Sequence, residues 1–255
     1  MNSANWLCGW RERIRVGVTT GLWAPYPTLD TNSRIRPWAT SFAGTAFRLH
    51  GNGSGNTTWK DFIAAHMAVL AGADFLTVEV LTWRGLITYY VLFFLHLETR
   101  RVSFAGITRH PTEEWMRQMG RNAIDETSGY LRQQRYVLHD RDTKFCEEFR
   151  ETLAAGGVKC LRLPARSPNL NAFAERWVRS VKEECLSKLI LFGEGSLRRA
   201  LTQFQEHYLF ERNHQGKGNT LLFPRANELP KTRGPLTGCH QRLGGLLKYY
   251  YRTAA

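Results

Sequence analysis

Three acidic residues, Asp74, Asp140 and Glu175, stand where their carboxylates are candidates for one shared site. Asp74 opens a β-branched and aromatic run, residues 74–81, that predicts a strand, and Asp140 directly follows a short predicted strand, residues 136–139. Glu175 lies one turn into a predicted long helix. Carboxylates brought together in this way raise one another's pKa unless a divalent cation neutralises them, and hard oxygen ligands favour Mg²⁺ or Mn²⁺. The residue types therefore indicate a candidate metal site.

Each acid also has an ordinary structural interpretation. Asp140 precedes Arg141 and can form a loop ion pair, and Glu175 can be a solvated acid near the positive end of the helix dipole. Asp142 and Glu79 lie close enough in sequence to compete as ligands, with a turn acid and an exposed strand residue as their ordinary roles. Spacing alone leaves these alternatives open.

The predicted helix around Glu175 carries cations beside the acid. At about 100° per residue, Glu175, Arg179 and Lys182 line up along one stripe of the helix. The apolar arc next to this stripe consists of Phe173, Trp177, Val178 and Val181. The stripe fits either an exposed surface, where a Glu–Arg pair contributes roughly a few tenths of a kcal/mol, or a functional site.

The whole chain is strongly basic. Its 255 residues include 35 Lys and Arg against 22 Asp and Glu, a formal charge of +13, so phosphate polymers are the first class of partner to consider. The longest apolar run, residues 86–97, is too short to cross a membrane as a helix, and no secretory signal is visible. Five separated cysteines without a CxxC pair argue against a disulfide framework and a zinc site.

The elements that position the acids begin with three predicted strands. A short helix over residues 59–70 leads directly into the strand of residues 74–81. Residues 86–97 are apolar on both alternating faces, as in a strand covered on both sides, and residues 102–107 give a third strand. Short connections between the three strands predict antiparallel pairing.

After the third strand the pattern changes to strands separated by helices. Thr112 is a predicted helix cap. The elements that follow are a strand over residues 136–139, a helix over 144–155, a strand over 159–163, and helices over 171–188 and 196–212 that Gly193 and Gly195 separate. This order predicts an α/β fold with a mixed sheet covered by helices on both faces.

Three regions are expected along the chain. Residues 1–55 are rich in Gly, Ser, Thr, Trp and Arg without a sustained period, and we expect a poorly ordered, non-native extension there. Residues 56–224 hold the regular elements and form the predicted core. Residues 225–255 form a predicted basic tail.

Four short motifs resemble those of DDE transposases and retroviral-type integrases, and bacterial insertion-sequence transposases in particular. They are ADFLTV at residues 73–78, HDRDTKF at 139–145, RSPNLNAFAER at 166–176 and ERNHQG at 211–216. The resemblance implies a ribonuclease H-like core whose three acids are Asp74, Asp140 and Glu175. The glutamate follows Asp140 by 35 residues, the interval of that family, and Phe145 occupies the aromatic position that favours Asp140 over Asp142.

The resemblance also implies an activity and its ligands. The family performs phosphoryl transfer at DNA ends, cleaving them and joining them to a target, with two Mg²⁺ or Mn²⁺ ions. Asp74 would bridge both ions, Asp140 would complete one site and Glu175 the other.

The resemblance implies DNA contacts and partners as well. Phosphate contacts are expected from Arg179 and Lys182. Further strand contacts are expected from Arg166, Ser167 and Asn169, for which capping of the following helix is the ordinary alternative role. The expected partners are transposon-end and target DNA and further copies of the chain, with no membrane, in the cytoplasm and on the nucleoid.

Two departures from the family pattern keep other functions open. Residues 1–55 show no pair of capped amphipathic helices, whereas relatives carry an N-terminal helix-turn-helix region, so the chain is also interpreted as a truncated element. His96 stands where the family often has Asp, at a position outside the three metal ligands. The alternatives are a catalytically inactive DNA-binding remnant and a ribonuclease H-like nuclease without strand transfer.

Overall fold

The structure is a computed structural model that describes residues 59–163, 171–224 and 238–251. Its α-helices are α1 (Trp59–His66), α2 (Glu113–Ile124), α3 (Glu147–Ala155), α4 (Ala172–Glu184) and α5 (Gly193–Phe210). Its main strands are β1 (Leu70–Thr82), β2 (Gly85–His96), β3 (Val102–Thr108), β4 (Tyr136–His139) and β5 (Lys159–Arg162). Two small hairpins follow, β6 (Asn213–His214) with β7 (Thr220–Leu221) and β8 (Gly238–Arg242) with β9 (Leu247–Tyr251). The predicted extension over residues 1–55 lies outside the described residues.

The main strands form one mixed sheet in the order β3-β2-β1-β4-β5. Strand β1 pairs antiparallel with β2, and β2 pairs antiparallel with β3. Strand β4 pairs parallel with both β1 and β5. The predicted ribonuclease H-like arrangement, three antiparallel strands followed by alternating helices and strands, is therefore confirmed, and β1 lies at the centre of the sheet.

Both faces of the sheet are buried because β1 and β2 carry apolar side chains on both alternating sides. Helices α1, α4 and α5 cover one face, where the ring of Trp177 packs 4.4 Å from that of Phe93, measured between ring centroids. Helices α2 and α3 cover the other face through Met116 and Phe149. The helical arc predicted around Glu175 is thus the surface that fixes α4 on the sheet.

The structure corrects the start of β1. The predicted helix over residues 59–70 ends at His66, a 3-10 turn follows, and the strand begins at Leu70, so Asp74 lies inside β1 rather than at its start. Leu70 and Ala71 are fully buried and pair with β4, and Ala71 also pairs with the end of β2. Long-range strand pairing overrides the local four-residue spacing that indicates a helix.

Three helix boundaries also differ from prediction. Helix α3 begins at Glu147, because residues 144–146 belong to the loop after β4. Helix α4 ends at Glu184, and a separate 3-10 turn covers Leu186–Lys188. The break before α5 lies at Phe192, and Gly193 with φ +71° is its first residue.

The predicted cap of α2 is confirmed, since Thr112 Oγ1 accepts a hydrogen bond from the N–H of Trp115 at 3.3 Å. In the region predicted as a basic tail, the β8–β9 hairpin is joined to the end of α5 by Glu211, which accepts hydrogen bonds from Arg242 and His240. No helix in the described ranges combines the length and apolar character needed to span a membrane.

Candidate active site

Asp74 lies on the face of the sheet that α4 and α5 cover. Its strand partner is Phe93, which packs in the core on that face, and directly paired residues share a face. The partly buried carboxylate accepts a hydrogen bond from the N–H of Phe75 at 2.7 Å on Oδ1 and one from Asn171 Nδ2 at 3.3 Å on Oδ2. The central strand therefore holds an acid beside the start of α4.

The pKa of Asp74 is raised from its ordinary value to about 7. Burial is the largest cause, and the hydrogen bond from Phe75 acts in the opposite direction. The negative charges of Asp140, Glu175 and Asp142 raise the pKa of Asp74 further. Asp140 and Glu175, which lie far from Asp74 along the chain, are therefore within electrostatic reach of the Asp74 carboxyl.

Asp140 and Asp142 share the loop after β4 but differ in their contacts. Asp140 is exposed, and its Oδ1 accepts a hydrogen bond from the N–H of Asp142 at 3.0 Å. Asp142 forms an ion pair with Lys144, with 2.7 Å between Oδ2 and Nζ. No ion pair joins Asp140 to Arg141 in the part of the chain that the structure describes, and Arg141 Nε instead donates to the carbonyl of Leu163.

Packing anchors the loop that carries Asp140. Phe145 is buried between His139 and Phe75, at ring-centroid distances of 4.7 and 5.5 Å. His139 Nδ1 contacts the carbonyl oxygen of Asp140 at 2.7 Å, and burial lowers the pKa of this histidine. A neutral ring with Nδ1–H donating satisfies that contact. Phe145, whose position in the motif favours Asp140 over Asp142, therefore fixes the loop against the sheet.

Glu175 and the cations of its stripe surround the same carboxylate. Glu175 lies in the first turn of α4 with much of its side chain exposed; partial desolvation by the surrounding protein raises its pKa, and the charge of Arg179 lowers it. Lys182 is half-buried; burial lowers its pKa and the charge of Asp74 raises it. Lys182 is therefore within electrostatic reach of Asp74, and Arg179 within reach of Glu175.

Asn171 belongs to the site, although sequence patterns assign it only to the start of a helix. Its side chain makes no capping hydrogen bond to α4 and binds Asp74 instead. Gly72 makes room for it, since a Cβ at that position would stand 3.1 Å from Asn171 Oδ1. In the sequence, Asn171 stands out only because it lies inside the motif RSPNLNAFAER, and the motif does not indicate that its side chain contacts Asp74.

The donor set fits a hard divalent cation. Asp74, Asp140, Asp142 and Glu175 offer carboxylate oxygens, and a bound cation would neutralise the negative charges that raise the pKa of Asp74. Within residues 59–163, 171–224 and 238–251, no three His, Cys, Asp or Glu side chains stand close enough together to hold a metal ion as they are placed in this structure. Convergence of the three acids on common ions stays a prediction. Arg166, Ser167 and Asn169 lie outside the described residues.

The comparison with protein families supports part of the resemblance. Residues 156–220 match the family model described as Integrase core domain. This stretch contains Glu175, Arg179, Lys182 and the ERNHQG motif, whereas Asp74 and Asp140 precede it. The similarity to integrase cores is therefore confirmed over these residues. No curated protein matches the chain.

Several solved structures are similar to the chain. One is the cryoEM structure of the simian T-cell lymphotropic virus intasome in complex with PP2A regulatory subunit B56 gamma, with 12% sequence identity and a TM-score of 0.45. The match covers 72% of this chain and 66% of that chain, so this chain spans just under two thirds of its length. Another is the HTLV-2 integrase catalytic core domain in complex with magnesium, dimeric form: 13% identity, TM-score 0.39, 56% of this chain and 86% of that chain. A third is the catalytic core domain of BIV integrase: 11% identity, TM-score 0.39, 56% of this chain and 84% of that chain.

Proposed function

We propose that this chain is a DDE-type transposase or integrase core that performs metal-dependent phosphoryl transfer on DNA, cutting transposon ends and joining them to a target. The observation that carries the proposal is the partly buried Asp74 carboxyl, whose pKa is raised to about 7 by burial first and then by the charges of Asp140 and Glu175. An ionised carboxylate that is partly buried in a central strand destabilises the fold unless a positive charge lies beside it. A bound divalent cation supplies that positive charge.

The proposed ligands are Asp74, Asp140 and Glu175, for Mg²⁺ or Mn²⁺, with two ions expected from the family resemblance. When bound, the metal polarises a phosphate oxygen and stabilises charge on the attacking and leaving oxygens. Asn171 holds one oxygen of Asp74 through its amide and so orients the carboxylate. Asp140 is proposed over Asp142 because Lys144 already pairs with Asp142.

The cations of α4 are proposed to hold the DNA backbone. Lys182 lies within electrostatic reach of Asp74, and Arg179 within reach of Glu175. A phosphate drawn to these cations would therefore lie beside the candidate metal ligands. Such contacts position the strand without selecting its sequence.

The test is an incubation of the full chain with Mg²⁺ or Mn²⁺ and DNA that carries the terminal inverted repeats flanking its gene. Nicked and joined products are scored separately for the wild type, for Asp74→Asn and for Glu79→Gln. Glu79 is the matched control because it is an exposed acid on the same strand. We expect both products from the wild type and from Glu79→Gln, and neither from Asp74→Asn.

Other outcomes identify the alternatives. Nicking without joining, again lost in Asp74→Asn, would make the chain a nuclease. DNA binding without either product would make it a binding remnant. Full activity in Asp74→Asn would overturn the assignment of the site.

A further inference from the structure

A second polar cleft lies on the face of the sheet away from Asp74. It has a volume of about 330 Å³ and lies between the end of β2, the start of β3 and the loop that joins α2 to β4. Its lining consists of His96, Arg101, Ser103, Thr127, Ser128, Gly129, Tyr130, Arg132 and Gln133. His96 pairs with Ala71, which packs in the core beneath α2 and α3, so the cleft and Asp74 are on opposite faces.

The lining of this cleft is positively charged. It contains two arginines and a histidine and no Asp or Glu. No ion pair involves Arg101 or Arg132 among the residues that the structure describes, and Arg101 instead stacks 4.9 Å from the ring centroid of Phe223. Burial lowers the pKa of His96, and the charge of Arg101 lowers it further, so the neutral ring is favoured and the two arginines supply the positive charge of the lining. Guanidinium groups bind phosphate through charge-assisted hydrogen bonds.

Hydrogen bonds within the loop hold the wall of the cleft in place. Asp125 Oδ1 accepts hydrogen bonds from the N–H of Thr127 at 3.1 Å and from the N–H and hydroxyl of Ser128 at 2.8 and 2.9 Å. Arg132 Nη1 donates to the carbonyl of Thr127 at 3.2 Å, and His96 Nε2 contacts the carbonyl of Tyr130 at 2.9 Å. Asp125 does not line the cleft, and three loop hydrogen bonds occupy its Oδ1. Hydrogen bonds from Ser128 and Thr127 lower the pKa of Asp125, and the charge of Arg132 lowers it further, so this carboxylate offsets part of the positive charge of Arg132.

The loop also requires glycine at one position. A Cβ at Gly129 would lie 2.4 Å from the carbonyl oxygen of Asp125 and 2.6 Å from that of Ala123. The chain therefore turns tightly here, and Tyr130 follows directly with 36% of its surface exposed. An aromatic ring in a cleft that two arginines also line suits a ligand that carries both a phosphate and a planar base.

We propose that this cleft binds the phosphate of a nucleotide through Arg101 and Arg132, with the base against Tyr130. The nucleotide is part of a DNA strand or is free in solution, and both present the same chemistry. The site goes beyond the proposed function, because none of the candidate metal ligands takes part in it. His96 adds no negative charge to the lining, whereas an Asp at this position would add one.

The experiment measures binding to the full chain without divalent metal, so that its result does not depend on the candidate active site. One arm uses a fluorescent single-stranded oligonucleotide and the other uses deoxyadenosine 5′-monophosphate. The variants are the double change Arg101→Gln with Arg132→Gln, Tyr130→Ala and His96→Asp. The control is Arg117→Gln with Arg121→Gln, which removes the same charge from exposed positions on α2.

We expect the Arg101→Gln/Arg132→Gln protein to bind the oligonucleotide at least about tenfold more weakly than the α2 control, with a salt slope smaller by about two. Tyr130→Ala and His96→Asp should each weaken binding about tenfold. The double change to Lys should keep most of the affinity, which also separates loss of charge from misfolding.

The two arms identify the source of the phosphate. If the mononucleotide binds saturably to the wild type and this binding is lost in the Arg101→Gln/Arg132→Gln protein, the cleft binds a free nucleotide or a strand end. An effect on the oligonucleotide alone assigns it to a backbone phosphate. If the Arg101→Gln/Arg132→Gln protein binds both probes as the α2 control does, the proposal is wrong.

Discussion

At the scale of single residues, Asp140 and Asp142 show how a small difference in contacts separates two acids. They are two positions apart in one loop, yet Lys144 pairs with Asp142 while Asp140 faces solvent. A carboxylate that already has a cation binds a metal less readily than one that lacks it. The contacts therefore support Asp140 as the second ligand.

Asp140→Asn should abolish cleavage and joining while keeping the fold and most of the DNA affinity. Loss of a residue that hydrogen-bonds a metal ligand typically lowers metal affinity or activity about 10- to 100-fold, and loss of the ligand itself should lower activity further. The assay is product formation with Mn²⁺, beside Asp142→Asn as the matched variant, which should retain most activity. Full activity in Asp140→Asn with loss in Asp142→Asn would move the ligand by two positions.

Lys182→Ala should weaken DNA binding and reduce its salt dependence, with some cleavage remaining. The change removes a cation that lies within electrostatic reach of Asp74, where a phosphate would sit. Removing one phosphate contact lowers the salt slope by about one. Affinity measured from low to high salt checks this, and an unchanged slope would exclude Lys182 as a phosphate contact.

At the scale of elements, the sequence predicts most of the sheet and its pairing but not the start of β1 or the role of Asn171. The apolar run of residues 86–97 and the short run of residues 102–107 identify β2 and β3, because these patterns are local. Leu70 to Ala73 belong to a strand only because β2 and β4 pair with them, which no local pattern records. The contact of Asn171 with Asp74 spans 97 positions and depends on how α4 packs against β1.

Gly72→Ala should reduce cleavage roughly 10- to 100-fold with a small change in stability. The added Cβ would stand 3.1 Å from Asn171 Oδ1, so the amide must move away from Asp74. Asn171→Ala should have a similar effect, and the double variant should be no worse than the stronger single variant. Gly195→Ala, at a position with open space, is the control for stability. Independent, additive losses would contradict the coupling.

Glu211 should make the joint between α5 and the β8–β9 hairpin sensitive to acid. Burial raises the pKa of Glu211, but hydrogen bonds from Arg242, His240 and His207 outweigh burial and lower its pKa to about 2. A carboxyl whose folded pKa lies below its ordinary value of 4.5 adds stability above that value and loses it as the pH falls toward 2. The contribution is up to about 3 kcal/mol.

Urea unfolding of the wild type and of Glu211→Gln at pH 7, 4 and 3 measures this contribution. The difference in free energy of unfolding between the two proteins should be largest at pH 7 and should shrink as the pH falls. Glu194→Gln, which removes an exposed partner of Arg198, should cost less than about 1 kcal/mol. A difference that stays constant from pH 7 to pH 3 would contradict the role of Glu211.

At the scale of the whole molecule, the formal charge of +13 dominates its expected interaction with DNA. Binding should weaken steeply with added salt, because phosphates that pair with the protein release their counterions. Sequence preference should be poor, since the contacts expected from α4 are to the backbone. Affinities for several duplexes across a salt series test both points, and either salt-independent affinity or a strong preference for the transposon ends would contradict them.

The carboxylate of Glu211 and the guanidinium of Arg242 are separated by 31 positions along the chain. During synthesis the acid leaves the ribosome first, and its partner follows only after the intervening residues have been added. The end of α5 thus completes its ion pair late, after the central sheet has all of its strands. A chain that ends between these two residues would carry Glu211 without the guanidinium of Arg242, and such a chain should be cut by proteases more readily than the finished protein.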